Sequence, residues 1–246
     1  MKLSIVIPAY NEEDYIGACL TAIERERQVS GFDMEVIVVN NASQDRTGMI
    51  ARSFSFVQVV DEPKKGLVQA RQSGYRASHG DLIANIDADT RMPAGWLKRV
   101  FLEFETQPQL VALSGPYEYY DLSRLTNVGV RFFYSCGKMV SVLNTLVTGQ
   151  SGTMLQGGNF VLRRTALERV GGFDLRYDFY GEDTAIAKLM SREGIVKFTF
   201  RLPMATSGRR LRAEGLWVMV WRYAANFLWA NFLGRAYSRD YKDVRL

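Results

Sequence analysis

The chain has 246 residues, 47% of them hydrophobic, with a formal net charge of +5 and only two cysteines, Cys19 and Cys136. That length fits one large domain or two small ones, with apolar residues enough for a sizeable core. Two cysteines so far apart exclude a disulfide framework and a cysteine-ligated metal site, and point to a reducing, cytoplasmic setting.

Residues 3–7 read as a buried strand that stops at Pro8, an apolar run too short for the core of a signal peptide. Residues 12–27 are amphipathic, with Tyr15, Ile16, Cys19, Leu20 and Ile23 at helical spacing and Glu12, Glu13 and Asp14 expected in the first turn, where the helix dipole favours acids. Strands are expected at 35–39 and 56–60, separated by the turn 40–43 and a helix within 45–53. A helix over 66–77 and a fourth strand over 82–86 follow. Such alternation predicts an α/β fold with a mostly parallel sheet and right-handed crossovers. The second half predicts a helix at 96–106 and one aromatic-rich strand at 110–121. A long apolar segment at 125–147, interrupted by Arg131 and Lys138, comes next. A strand at 157–163, short helix at 165–170, helix at 183–193 and strand at 195–200 complete the pattern.

In a parallel sheet, ligands gather at the carboxyl ends of the strands. Pro8-Ala9-Tyr10-Asn11, Asn40-Asn41-Ala42-Ser43 and Asp87-Ala88-Asp89 all converge there. The dinucleotide fingerprint G-x-G-x-x-G is absent after the first strand, which argues against a dinucleotide-binding oxidoreductase. Two acidic pairs stand far apart: Asp87 with Asp89 at a strand end, and Glu182 with Asp183 before a helical pattern. A metal-held diphosphate and a general base are two tasks that need carboxylates in two places, so an enzyme is expected.

An ordered set of motifs resembles the family-2 glycosyltransferases of the GT-A fold. It runs through Ser4 to Glu13, Val38 to Thr47, Gly66 with Ala70, Arg71 and Gly74, Gly80-Asp81 and Asp87-Ala88-Asp89. Gly158-Asn159, Gly171-Gly172-Phe173-Asp174 and Gly181-Glu182-Asp183 end it. The resemblance implies an inverting, metal-dependent transfer of a sugar from a UDP- or GDP-sugar donor to a hydroxyl or phosphate acceptor, lipid-linked or part of a cell-envelope glycan. It implies Asp89 as ligand of Mg2+ or Mn2+, with Asp87 nearer the ribose or a metal-bound water. Pro8, Ala9, Tyr10, Glu12 and Asn41 would form the nucleobase pocket. Asn40 stands where an Asp is common in the family, which leaves uracil, guanine and thymine open. Arg71, with Lys65 on the loop before it, would reach the phosphates, whereas Lys64 reads as part of a solvated basic face. Asp183 would be the base, capping the helix 184–192 as well, and Glu182 would position the acceptor. Thr206, Ser207, Arg209 and Arg210 would close over the diphosphate. His79, the only histidine, reads as a solvated turn residue.

The resemblance divides the chain into a catalytic domain over 1–212, with a nucleotide-binding half (1–90) and an acceptor half (91–212), and a helical tail over 213–246. Residues 1–208 carry 23 basic and 23 acidic side chains, so the whole formal charge comes from residues 209–246, with 8 basic and 3 acidic. The apolar stretch 215–233 holds Trp217, Trp221, Phe227, Trp229 and Phe232 but is broken by Arg222, Asn226 and Asn231. A spanning helix needs about 20 apolar residues. The tail therefore reads as an interfacial helix on an anionic membrane surface in preference to a nucleic-acid partner. A homo-oligomer contact and packing on the catalytic domain are its alternatives. A nucleotidyltransferase would carry a Gly-rich phosphate loop after the first strand, which Pro8 to Glu12 do not supply. A non-catalytic sugar-nucleotide-binding or membrane-scaffold protein would not need Asp87, Asp89 and Asp183 together.

Overall fold

The computed structural model describes residues 1–148, 154–177 and 181–215, together with 218, 219, 221, 222, 225 and 229. Most of the expected tail helix, including Trp217, Asn226, Phe227, Asn231 and Phe232, lies outside the described residues.

The first half alternates as expected: β1 (Leu3–Ala9), α1 (Ile16–Ser30), β2 (Met34–Asn41), α2 (Thr47–Arg52), β3 (Val57–Glu62), α3 (Leu67–Ala77) and β4 (Leu82–Ile86). The second half continues with β5 (Thr90–Arg91), α4 (Trp96–Thr106), β6 (Leu110–Ser114), β7 (Tyr117–Tyr119) and α5 (Arg124–Thr148). Then come β8 (Asn159–Arg163), α6 (Arg164–Arg169), α7 (Glu182–Met190), β9 (Ile195–Phe198), β10 (Met204–Thr206) and α8 (Arg209–Glu214).

Among the described residues, seven strands form the central sheet in the order β3-β2-β1-β4-β8-β6-β9. β8 alone runs against both its neighbours, β4 and β6. β1 and β4 are covered on both faces, which is why Leu3 to Ile7 and Leu82 to Ile86 read as unbroken buried runs rather than alternating ones. One core layer packs α1 and α4 on one face, through Ile16, Leu20, Leu97 and Phe101. The other packs α3, α6 and α7 through Val68, Leu167 and Ile186.

Three expectations are corrected. The acids Glu12, Glu13 and Asp14 precede α1, which starts at Ile16 with none in its first turn. Glu12 and Glu13 are held instead by the neighbouring loop: their amides donate to Thr47 Oγ1 (2.7 Å) and Asp45 Oδ2 (3.0 Å). The expected single strand 110–121 is two strands in two sheets, broken at Gly115-Pro116. Asp183 does not cap a helix beginning at 184. α7 starts at Glu182 behind Gly181, whose left-handed φ of 78° favours glycine, and both acids stand in its first turn.

A second, three-stranded sheet in the order β5-β10-β7 went unread in the sequence. It lies over the carboxyl edge of the central sheet and joins Thr90, just after the first acidic pair, to Thr206 and to Tyr119.

Candidate active site

The strand order turns at β1, with β2 on one side and β4 on the other, so the loops after β1, β2 and β4 share one edge. The first two loops are stitched together. Asn11 Oδ1 accepts from the Gln44 amide (2.9 Å), and the Asn11 amide donates to Ser43 Oγ (3.2 Å). Both loops use left-handed non-glycine residues, Asn11 at φ 50° and Ala42 at φ 57°. Pro8 and Ala9 end β1 here, with the Ala9 carbonyl facing Ser43 Oγ at 3.4 Å. Tyr10 lies beneath the Lys65 ammonium, 3.8 Å from its ring centroid.

The two asparagines are committed inside the protein. Asn41 donates to the carbonyls of Glu62 (3.1 Å) and Lys64 (2.7 Å) and accepts from the Gly66 amide (2.8 Å). It therefore holds the loop between β3 and α3 instead of offering a free edge to a base. Asn40 turns to Asp61 on β3 (2.8 Å). His79 stands on the surface, as expected.

The first acidic pair is clamped from three directions. Tyr117 donates its hydroxyl to Asp87 Oδ2 at 2.7 Å. Burial first, and then Asp87 beside it, push the Tyr117 hydroxyl well above its ordinary pKa, so it stays a donor. Gly158 is required where the start of β8 crosses this pair: a methyl there would overlap both the Tyr117 hydroxyl and the Asp87 carboxylate. Asp89 receives Arg209 Nε at 3.0 Å, and the same guanidinium reaches Glu12 Oε1 at 2.5 Å. Burial would lower the Arg209 pKa, but Asp89 and Glu12 outweigh it and raise it. Thr206 Oγ1 stands 3.5 Å from Asp89 Oδ1, and the Ser207 amide donates to the Asp89 carbonyl (3.3 Å). Ser207 Oγ binds Asp121 (2.9 Å), and Arg210 pairs with Glu214 (3.3 Å).

The second acidic pair reaches the first through one side chain. Arg71, 1% exposed, puts Nη1 on Glu182 and Nη2 on the Gly157 carbonyl, with Nη2 3.8 Å from Asp87 Oδ1. Its guanidinium lies over the Phe160 ring, 5.2 Å from the centroid. The expected open phosphate contact thus gives way to an internal bridge between the two acidic pairs. Burial pushes Glu182 up to about 7 against the pull of Arg71, with Asp183 beside it adding to the rise. Burial also raises Asp183, although its Oδ1 accepts from the Thr184 amide at 2.7 Å.

The metal reading can be tested on this donor set. Among the described residues no three His, Cys, Asp or Glu side chains gather into a cage. Mg2+ and similar ions are held by one or two carboxylates together with substrate phosphates and water, and Asp89 with Asp87 supplies that number. A protein cation already bridges Asp89 and Glu12, so the position suits positive charge. The residues fit the ion.

Tyr117 and Gly157 were missed in the sequence as site residues, and Gly158 was read there only as part of a motif. Tyr117 sits in an aromatic run that gives no sign of which ring turns inward.

Comparison with known proteins bears on the fold and the family. The chain is 35% identical over 102 residues to glycosyltransferase AglE of Haloferax volcanii, covering 39% of this chain and 33% of that protein. It is 30% identical over 186 residues to the probable glycosyltransferase YdaM of Bacillus subtilis, covering 70% of this chain and 43% of YdaM. The chain thus spans less than half the length of these curated relatives. A mannosyltransferase from Pyrobaculum calidifontis, solved with GDP-Man and Mn2+, shares the fold at a TM-score of 0.69 and 22% identity, over 94% of this chain and 63% of that one. The family model for glycosyl transferase family 2 matches residues 4–171, which include Asp87 and Asp89 and stop short of Glu182 and Asp183. That match runs over more than half of the chain, and the chain belongs to glycosyl transferase family 2.

Proposed function

We propose that this chain moves a sugar from a nucleoside diphosphate sugar to a hydroxyl or phosphate acceptor, with inversion at the anomeric carbon and with a divalent metal on the donor side. The observation that carries the reading is the shared buried guanidinium of Arg71, which brings Asp87 and Glu182 to one site although they lie on opposite sides of the fold's midpoint in sequence.

The donor half is residues 1–90. Pro8, Ala9, Tyr10 and Glu12 line the nucleobase pocket, and Asn41 shapes it by fixing the loop before α3. Lys65 and Arg209 face the diphosphate. A divalent cation held by Asp89, with Asp87 beside it, would neutralise the charge that grows on the leaving diphosphate. With an ion on Asp89, Arg209 would be free to offer its charge to the phosphates together with Thr206 and Ser207. The acceptor half is residues 91–212. Asp183 takes the proton from the acceptor oxygen as that oxygen attacks the anomeric carbon, and Glu182 positions the acceptor. Burial suits Asp183 to this task, because a raised pKa makes the carboxylate a stronger base than an exposed one.

The Pyrobaculum protein, solved with GDP-Man and Mn2+, supports a nucleotide-sugar donor and a metal for this site as well. A lipid-linked acceptor and a peripheral position at the inner face of the membrane, through residues 213–246, complete the reading; a homo-oligomer contact is the other use of that tail. The test is a thermal-shift screen of UDP- and GDP-sugars with Mn2+ or Mg2+, followed by NMR of the anomer formed when the best donor is turned over. A β product from an α-linked donor supports the reading, and a retained anomer or no stabilisation by any donor contradicts it.

A further inference from the structure

α5 presents two unlike faces. The inner face is tied to the site. Asn127 exchanges hydrogen bonds with the Tyr119 backbone (2.8 and 2.9 Å), and the Tyr134 hydroxyl donates to Gln156 at 2.6 Å while its ring stacks on Phe198. These contacts hold β7 and the loop leading to Gly157 and Gly158. The outer face carries Leu125, Val128, Phe132, Met139, Val142, Leu143 and Leu146, all exposed, with Leu125 at 81%, Phe132 at 71% and Leu146 at 77%. At helical spacing these form one stripe down a helix about 37 Å long. Scattered exposed apolar side chains need no explanation, but a continuous stripe of this length does.

Charge selects what covers it. Arg124, Arg131 and Lys138 follow one flank of the stripe at seven-residue intervals, and residues 124–148 contain no Asp or Glu. A second copy seated on this face would set these cations against its own. Residues 209–246 carry 8 basic and 3 acidic side chains, so the net charge of the same chain's tail has the sign of this flank and does not complement it. An anionic bilayer surface offers both halves of the complement: headgroups for the basic flank and acyl chains for Phe132, Met139 and the aliphatic residues. No helix of the described residues is long and apolar enough to cross a membrane.

We propose that the exposed face of α5 is a membrane-docking surface that seats the chain on an anionic lipid bilayer, independently of residues 213–246, and holds the β7 side of the catalytic cleft next to the lipid. It acts parallel to the membrane plane, as an interfacial helix.

The test uses the full chain and vesicles of phosphatidylcholine with or without phosphatidylglycerol, read by sedimentation. The chain sediments with the phosphatidylglycerol vesicles, and Phe132→Ser with Met139→Ser and Leu146→Ser weakens that partition about tenfold or more. These side chains are exposed, so the thermal melt of the triple variant stays unchanged. Should it melt early, Leu125→Ser with Val142→Ser probes the same stripe. Three results overturn the proposal. One is a wild-type chain that stays in the supernatant with both vesicle types. Another is equal partition by wild type and variants, which assigns binding to the tail. The third is a wild-type dimer in solution that the substitutions convert to monomer, which assigns the face to a second copy. None of these readings depends on glycosyl transfer, so the docking surface and the proposed reaction fail separately.

Discussion

Replacing Arg71 by methionine tests the bridge between the two acidic pairs. The substitution keeps an unbranched apolar stem against Phe160 and removes the charge. Arg71 is 1% exposed and Glu182 5% by side chain, so the pair lies inside the protein, where removal of one partner costs about 3–5 kcal/mol. Protonation offers Glu182 an escape. Its folded pKa, about 7, lies above the ordinary 4.5, so its burial reduces stability progressively as pH rises from 4.5 to 7, and the reduction is constant above that. Without Arg71 the folded pKa rises further, and the variant keeps losing stability above pH 7 after the wild type has levelled off. The difference between them is flat from pH 5 to 6.5 and widens by about 1.4 kcal/mol per pH unit above 7 until the variant's own pKa is reached. Urea unfolding of both proteins at pH 5.5, 7 and 8.5 measures this directly. A stability difference independent of pH would show that Glu182 does not depend on Arg71. Glu182→Gln added to Arg71→Met should remove the part of the pH dependence that Glu182 carries, leaving that of Asp183, which burial raises and Arg71 also holds down.

Other consequences follow from the same geometry. Gly158→Ala pushes a methyl into Tyr117 and Asp87, so it should lower stability by about 1–3 kcal/mol and weaken donor binding, read by thermal shift with and without donor; wild-type behaviour would mean that β8 is free to move off Asp87. Arg209→Met leaves Asp89 and Glu12 without their shared cation, at a cost of about 2 kcal/mol, and should enlarge the melting-temperature rise given by Mn2+; an unchanged rise would show that Arg209 and the ion do not compete. The acid limb of the donor-turnover profile should lie above the ordinary aspartate range, because burial raises Asp183 and the base must be ionised: activity falls as pH drops through that raised value. A limb at the ordinary aspartate value would remove Asp183 from the role.

The sequence carried the first half of the fold because β1 and β4 are buried on both faces and announce themselves as apolar runs. α4 emerged with its observed bounds, since Trp96, Leu97, Val100, Phe101 and Phe104 repeat at helical spacing. β5 and β10, of two and three residues, are too short to show any period, so the small sheet was invisible. The start of α1 was misread because acids ahead of a helix look the same whether they serve its dipole or, as here, bind Arg46 and Arg209. Both acidic pairs were legible from their positions beside strand and helix patterns. Their connection was not, because Arg71 is an ordinary helix residue until the fold buries it against Glu182. Tyr117 is a site residue only through contacts between β7 and the loop after β4, which no local pattern encodes; Gly158 stood among the motifs, but its close approach to Asp87 emerges only from the fold.

The division of labour between the acidic pairs is tested most directly by measuring donor binding and donor turnover in parallel, in Asp89→Asn and Asp183→Asn, with Mn2+ present. The account predicts that Asp89→Asn loses metal-dependent donor binding, and turnover with it. It predicts that Asp183→Asn binds donor as the wild type does but has no turnover. Full turnover by Asp183→Asn, or metal-dependent donor binding by Asp89→Asn equal to wild type, would contradict it.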